Sequence, residues 1–347
     1  DPERGVFILM IMAFFMGGAL VLFAARASAL EAKGVFSMVS RESALLVNNV
    51  LLAVACFVVF IGTMWPLLAE MFFDRKLSVG PPFFNAAFTP FMIMLGLILP
   101  IGSAMPWKRA VISRALKPLR YAFVLAIAIG GLAYAMQSGR SLLGPLGLFL
   151  GAWIVMGTVV DLWGRTGRGS NRLRRLGRLP RADWGKMVAH AGLGVTMAGV
   201  AGLTAWSIDD IRAVPLGDSY DVGRYTVQLD DVTQGQGPNY TATTGSVTLF
   251  HDGEEIAQLR PEKRFYPVAQ MPTTEAAIDY NLLRDVYVVI GDEQANGGWV
   301  VRTYVKPLTN WIWIGCALMA LGGVLSLSDR RYRVAAGAAK SKPVPAQ

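Results

Sequence analysis

Histidine and cysteine are nearly missing from this sequence of 347 residues, which has two of each. Cys56 and Cys316 both fall inside apolar runs with no partner at metal or redox spacing, so they read as small buried apolar residues. No C-x-x-C-H occurs, which excludes haem carried covalently on this chain through that motif. Walker A, H-E-x-x-H and G-x-S-x-G patterns are missing too, and with them the signatures of P-loop nucleotide hydrolysis, zinc proteolysis and serine hydrolysis. Charge is scarce: 16% of residues are Asp, Glu, Lys or Arg, against about a quarter in an ordinary globular domain.

What fills the space is apolar. Hydrophobic residues make up 53% of the chain and the mean hydropathy is +0.42. The bilayer is therefore the expected solvent for much of it. The net charge of +9 is unevenly spread. Residues 207–310 hold 15 acidic and 8 basic side chains, so the excess of positive charge lies entirely elsewhere. A basic membrane part joined to one acidic segment is a pattern of membrane topology, and no nucleic-acid partner is expected from it.

A spanning helix needs about 20 mostly apolar residues. Seven stretches qualify: 5–25, 44–69, 88–106, 119–136, 142–163, 186–206 and 311–327, the third interrupted by Pro90 and Pro100. Lys and Arg cluster in alternate connections. Arg26, Lys33 and Arg41 follow the first span, and Lys108, Arg109, Arg114 and Lys117 follow the third. Seven arginines from Arg165 to Arg181 follow the fifth, and five basic residues from Arg330 to Lys342 end the chain. By the positive-inside rule these four segments are cytoplasmic, with the amino end and residues 207–310 on the opposite face. The expected organisation is six helices in 1–206, a periplasmic β-rich domain in 207–310, a last helix in 311–328 and a cytoplasmic tail in 329–347. The fold class is a membrane all-α helical bundle with a small inserted β domain.

The β reading rests on 222–232, 246–250, 286–290 and 299–305, which alternate or are rich in β-branched and aromatic residues. Asp252-Gly253 suits a tight hairpin turn. About 100 residues make one small sandwich or barrel, and the pattern does not choose between them.

Once the flanks of the seven spans are trimmed, one ionisable side chain remains within them, His190. Such a residue is costly in the bilayer and is a functional candidate for that reason. A neutral imidazole can ligate haem iron; equally, it can hydrogen-bond to a neighbouring helix. Gly185, Gly192 and Gly199 recur every seven residues beside it, with room for a packed helix or a flat macrocycle. His251, before the Asp252-Gly253 turn, reads as a solvated hairpin residue. Asn48 and Asn49 read as hydrogen-bonding between helices, Asp161 as an interfacial residue near Arg165, and Gly80-Pro81-Pro82 as a stiff turn offering a docking surface. No carboxylate lies within a trimmed span, which weakens a transporter reading.

Several stretches carry a resemblance to a known family. They are Glu42 to Leu52, Ser78 to Asn85, Gly237 to Thr241, Pro261 to Pro267 with Met271 to Ile278, and Val305 to Leu308 leading through Gly322-Gly323 to Arg331. These resemble the later membrane part and outer domain of the CcmF-type haem lyases, with the nitrite-reductase-dedicated NrfE type a close relative. The block from Lys263 to Ala277 is the most specific, and it is the candidate docking region.

The resemblance implies c-type cytochrome biogenesis at the bacterial inner membrane. It implies haem as substrate, received from the chaperone CcmE, and work alongside CcmH, which presents apocytochrome c. It also implies a membrane haem b held by two histidines, with His190 matching the one before the large outer domain. That haem's implied role is to reduce the iron of the incoming haem. The family's tryptophan-rich haem-cradling motif, its two outer histidines and the other haem b ligand have no match here. The chain is thus expected to lack an amino-terminal half of the lyase, to receive its second axial ligand from outside, and to be inactive alone. A scaffold without redox chemistry, and a permease for haem or a small molecule, are the alternatives.

Overall fold

The computed structural model describes residues 2–30, 35–137, 141–167, 169–295 and 297–329. Asp1, Lys33, Arg140, Arg168 and the basic residues after Asp329 lie outside them. Eight α-helices run in order: α1 (Pro2–Ala25), α2 (Arg41–Phe73), α3 (Pro81–Ala104), α4 (Ile112–Met136), α5 (Leu143–Arg165), the short α6 (Arg172–Leu176), α7 (Arg181–Trp206) and α8 (Thr309–Leu327). All but α6 are long and apolar enough to cross a membrane, which bears out the seven spans. Their large side chains face outward, Phe14 at 76% exposure and Leu327 at 78% among them. Such surfaces suit hydrocarbon or another apolar helix, not water.

The chain divides into two compact units, Asp1–Tyr121 and Ala122–Gln347, with the division inside α4. In the first, α2 packs on α3 through small residues. A methyl on Gly62 would meet Phe83 and Phe84 at 2.7 Å, and one on Gly102 would meet Ala44 at 2.9 Å. Ser40 caps α2, its hydroxyl accepting from the Ser43 amide at 3.2 Å. Both Glu42 carboxylate oxygens accept from the Lys108 amide, at 3.0 and 2.8 Å. Ser37 donates to the Lys108 carbonyl and Ala110 to that of Val39, so the two basic connections run side by side. Gly80-Pro81-Pro82 differs from its reading as a turn: Gly80 caps α3 and the prolines are its first residues, where a missing N–H costs nothing.

In the second unit α7 is the middle helix, packed on α5 along one side and on α8 along the other. α4 joins through Gly130, whose added methyl would lie 2.9 Å from Phe149, and through edge-on contacts of Phe123 with Phe149 and Trp153.

Ten strands separate α7 from α8: β1 (Ile208–Val214), β2 (Ser219–Val222), β3 (Tyr225–Gln236), β4 (Thr241–His251), β5 (Glu254–Leu259), β6 (Glu262–Tyr266), β7 (Met271–Glu275), β8 (Ala277–Tyr280), β9 (Arg284–Glu293) and β10 (Trp299–Pro307). One sheet has the order β1-β10-β9-β8 and the other β2-β3-β4-β6-β7, with β5 also on β4. Alternate residues of both sheets, Val227 and Leu229 from one and Val286, Val288 and Ile290 from the other, fill one buried core. The architecture is therefore a sandwich. Asp252 and Gly253 have φ of 50° and 85°, the two left-handed residues of a tight hairpin turn joining β4 to β5.

Candidate functional site

α7 owes its place to small side chains in two rows. Gly185, Gly192 and Gly199 face α8: added methyls would meet the Gly322 carbonyl at 2.5 Å, the Gly315 carbonyl at 2.6 Å and Ile312 at 2.8 Å. Gly194, Ala198, Ala201 and Ala205 face α5, against Gly151, Gly147 and Gly144. At about 100° per residue the two rows lie on opposite sides of the helix. The seven-residue glycine repeat is thus used for helix packing, the first of the two uses its spacing allows.

His190 lies at the edge of the α5-facing row, about 20° round the helix from Ala201, with Met197, Lys186 and Leu193 further round, and is half-buried. A haem needs an imidazole presented on a rigid backbone and an apolar wall beside it. His190 on a helix clamped from two sides, followed along the same flank by Leu193 and Met197, fits that need for one axial position. His251 is in the sandwich, its ring stacked on Tyr225 at 4.8 Å and Nδ1 3.2 Å from the Arg224 carbonyl. The structure does not bring the two histidines to one site.

One turn before His190 is a charged cluster, of which the sequence alone marks only Asp161 near Arg165. Asp161 of α5 accepts from Lys186 of α7 and lies 3.5 Å from Arg165, which also donates to Asp183 at 2.6 Å. Trimming the spans discarded these residues. The available signal was Pro180, which marks a helix beginning at Arg181 and carries Lys186 into its second turn.

Two other readings are corrected. Cys56 and Cys316 are exposed, because a lipid-facing position suits an apolar side chain as well as a core does. Asn48 donates to neighbouring Asn49 at 3.3 Å and not across to another helix. Asp161 does lie near Arg165, as the sequence suggests, and pairs with Lys186 in addition.

The block from Lys263 to Ala277 forms the β6–β7 hairpin and the start of β8. Arg264 lies over the Tyr240 ring at 4.6 Å and donates to Glu262 at 2.7 Å; that bond holds its guanidinium above its ordinary pKa. Val268 at the hairpin tip is 98% exposed and Met271 is exposed beside it. Tyr225, at the opposite end of the long β3–β4 pair, hydrogen-bonds Arg284, whose strand neighbour Asp285 accepts from Asn310 of α8 at 2.9 Å. Burial pushes the Asp285 carboxyl above the usual range. Phe265 pairs with Thr241 at the other end of β4. Eleven residues of β4 span about 33 Å, so the hairpin tip points away from the membrane helices.

Residues 205–307 match the family described as the CcmF C-terminal β-sandwich. The cytochrome c-type biogenesis protein ccl1 of Rhodobacter capsulatus is 59% identical over 341 residues, 98% of this chain and 52% of that protein. The cytochrome c-type biogenesis protein CycK of Rhizobium meliloti is 43% identical over 346 residues, 99% of this chain and 51% of the relative. Among solved structures, the cytochrome c haem lyase CcmF superposes with a TM-score of 0.68 at 24% identity, covering 92% of this chain and 49% of that one. The chain spans about half the length of the relatives it matches.

Proposed function

We propose, from the premise that this chain belongs to the CcmF/CycK/NrfE family of cytochrome c-type biogenesis proteins, that it serves the attachment of haem to apocytochrome c. In this reading haem is the substrate of the assembled lyase, and the chain also holds a haem b within the membrane. His190 supplies one axial nitrogen, and the second ligand comes from polypeptide outside this chain. A ferrous haem held there would supply one electron to the incoming haem iron, itself becoming ferric.

The observation that carries the reading is His190, an ionisable side chain half-buried on a membrane helix that is clamped from two sides. Packing on α5 and α8 fixes the backbone from which the imidazole projects, which suits an axial ligand. The Asp161–Lys186 pair sits one turn further toward the end of the helix and neutralises charge there.

Orientation follows the basic connections, with the β sandwich periplasmic, the amino end on the same side and the carboxy end cytoplasmic. The β6–β7 tip then stands about 33 Å out from the membrane-side end of β4. That is where CcmH, CcmE or apocytochrome c would be met, and the exposed Val268 and Met271 give such a contact an apolar centre.

A scaffold reading is favoured by one observation, that the α7 glycines are used for helix packing. The test separates the two. The protein is purified in detergent from a host making the remainder of the lyase, and reduced-minus-oxidised spectra of wild type and His190→Ala are compared at equal membrane insertion. A b-type spectrum lost only in the variant supports the haem reading. Full retention of haem by the variant assigns His190 to packing and leaves the scaffold.

A further inference from the structure

We propose that the β8–β9 turn is a lipid contact, a rigid loop that seats two leucines in the headgroup boundary of the leaflet where α8 begins. The turn, residues 281–283, is closed on itself. The Asn281 side-chain oxygen accepts from the Leu283 and Arg284 amides at 2.8 and 2.9 Å, and the Asn281 amide donates to the Arg284 carbonyl at 2.9 Å.

It is also fastened to the start of α8. The Asn281 carbonyl accepts from Asn310 at 2.7 Å, the Leu282 carbonyl from the Trp311 indole at 3.0 Å, and the Leu283 carbonyl from the Leu308 amide at 2.8 Å. All three turn carbonyls, and the Asn281 and Leu283 amides, are therefore satisfied by protein, which lowers the cost of bringing this backbone into a poorly hydrated layer. The leucine side chains are left outward, at 67% and 66% exposure, with Tyr280 at 73% beside them.

The length of α8 sets the depth. Its 19 residues rise about 28 Å, no more than the hydrocarbon thickness of about 30 Å. A helix that short spans the membrane only if its first turn lies at the boundary, and the β8–β9 turn is bonded to that first turn. Trp311 in the first turn and Trp313, 70% exposed, are the side-chain types that settle at this level. Lipid is thus the occupant that the geometry brings to Leu282 and Leu283. The loop would fix the tilt of the sandwich relative to the bilayer, and this holds whether or not His190 ligates haem.

The test uses the full chain with C56A and C316A, reconstituted in phosphatidylcholine vesicles. A small environment-sensitive fluorophore is placed at L282C, at L283C, or at V268C on the far tip of the sandwich. Lipid carrying a shallow nitroxide should quench the label at Leu282 and Leu283 several-fold more than at Val268, and aqueous iodide should show the reverse order. Equal iodide quenching at all three positions would overturn the proposal, because the turn would then stand in water. Protection of Leu282 from both quenchers would overturn it as well, by showing that protein covers the turn.

Discussion

Gly192 of α7 and Gly315 of α8 face each other so closely that a methyl on either would meet the other's carbonyl oxygen, at 2.6 and 2.5 Å. With the backbones this near, attraction comes from dispersion and Cα–H···O contacts, since lipid offers no hydrophobic gain for closing two helices. The contact also fixes the rotation of α7, and therefore where the His190 flank faces.

Gly315→Ala should destabilise the detergent-solubilised protein by about 1–3 kcal/mol, the usual cost of overpacking a close contact. Gly323→Ala, on the same helix with nothing within 4 Å of the added methyl, should be neutral or slightly stabilising, since alanine is the better helix former. Thermal midpoints of the two variants read the difference directly. Equal midpoints would mean that α8 shifts freely on α7.

Asp161 bridges Lys186 and Arg165, and this makes its removal unlike that of either cation. In Lys186→Ala the carboxylate keeps Arg165. In Asp161→Asn, Lys186 loses its carboxylate in a site where both side chains are mostly covered, while Arg165 keeps Asp183. Breaking such a pair from one side costs up to about 3–5 kcal/mol when burial is complete, and less here. Asp161→Asn should therefore lower the thermal midpoint more than Lys186→Ala, and the double variant should recover part of the loss. The reverse ranking would show that the cluster does not fasten α5 to α7.

Much of this was legible in the sequence, for stated reasons. The seven spans follow from hydropathy because lipid leaves the chain little choice but helix. The Asp252-Gly253 turn follows from local chemistry, as its two positive φ values require. His190 stood out because an ionisable side chain is rare at that depth. Other features depend on what lies across the fold. β1 pairs with β10, joining Ile208 to Val305, so a sandwich could not be told from a barrel by reading along the strands. Glycines at seven-residue spacing admit a helix or a ligand, and the neighbouring backbone shows the helix. Cys56 and Cys316 were misplaced for a similar reason: in a membrane protein an apolar residue does not reveal whether it faces core or lipid.

Between the two sheets the Tyr220 and Thr303 hydroxyls lie 2.7 Å apart, with Thr303 fully buried. Burial pushes the Tyr220 phenol from its ordinary 10.0 up to about 12, against the hydrogen bond to Thr303, which favours ionisation. The folded pKa is thus above the unfolded one. The neutral phenol is compatible with the core at every pH below about 10. Above that the unfolded chain loses the proton first, so stability falls as the pH rises from 10.0 toward about 12. Wild-type protein should show this alkaline decline in its denaturation midpoint. Tyr220→Phe should flatten the part of it due to this group, while losing about 1–3 kcal/mol near neutral pH because the Thr303 hydroxyl is left without the phenol. Adding Thr303→Val should return most of that neutral-pH loss, since both polar groups are then gone. If Tyr220→Phe kept the full alkaline slope, the titration would have to be assigned to another group.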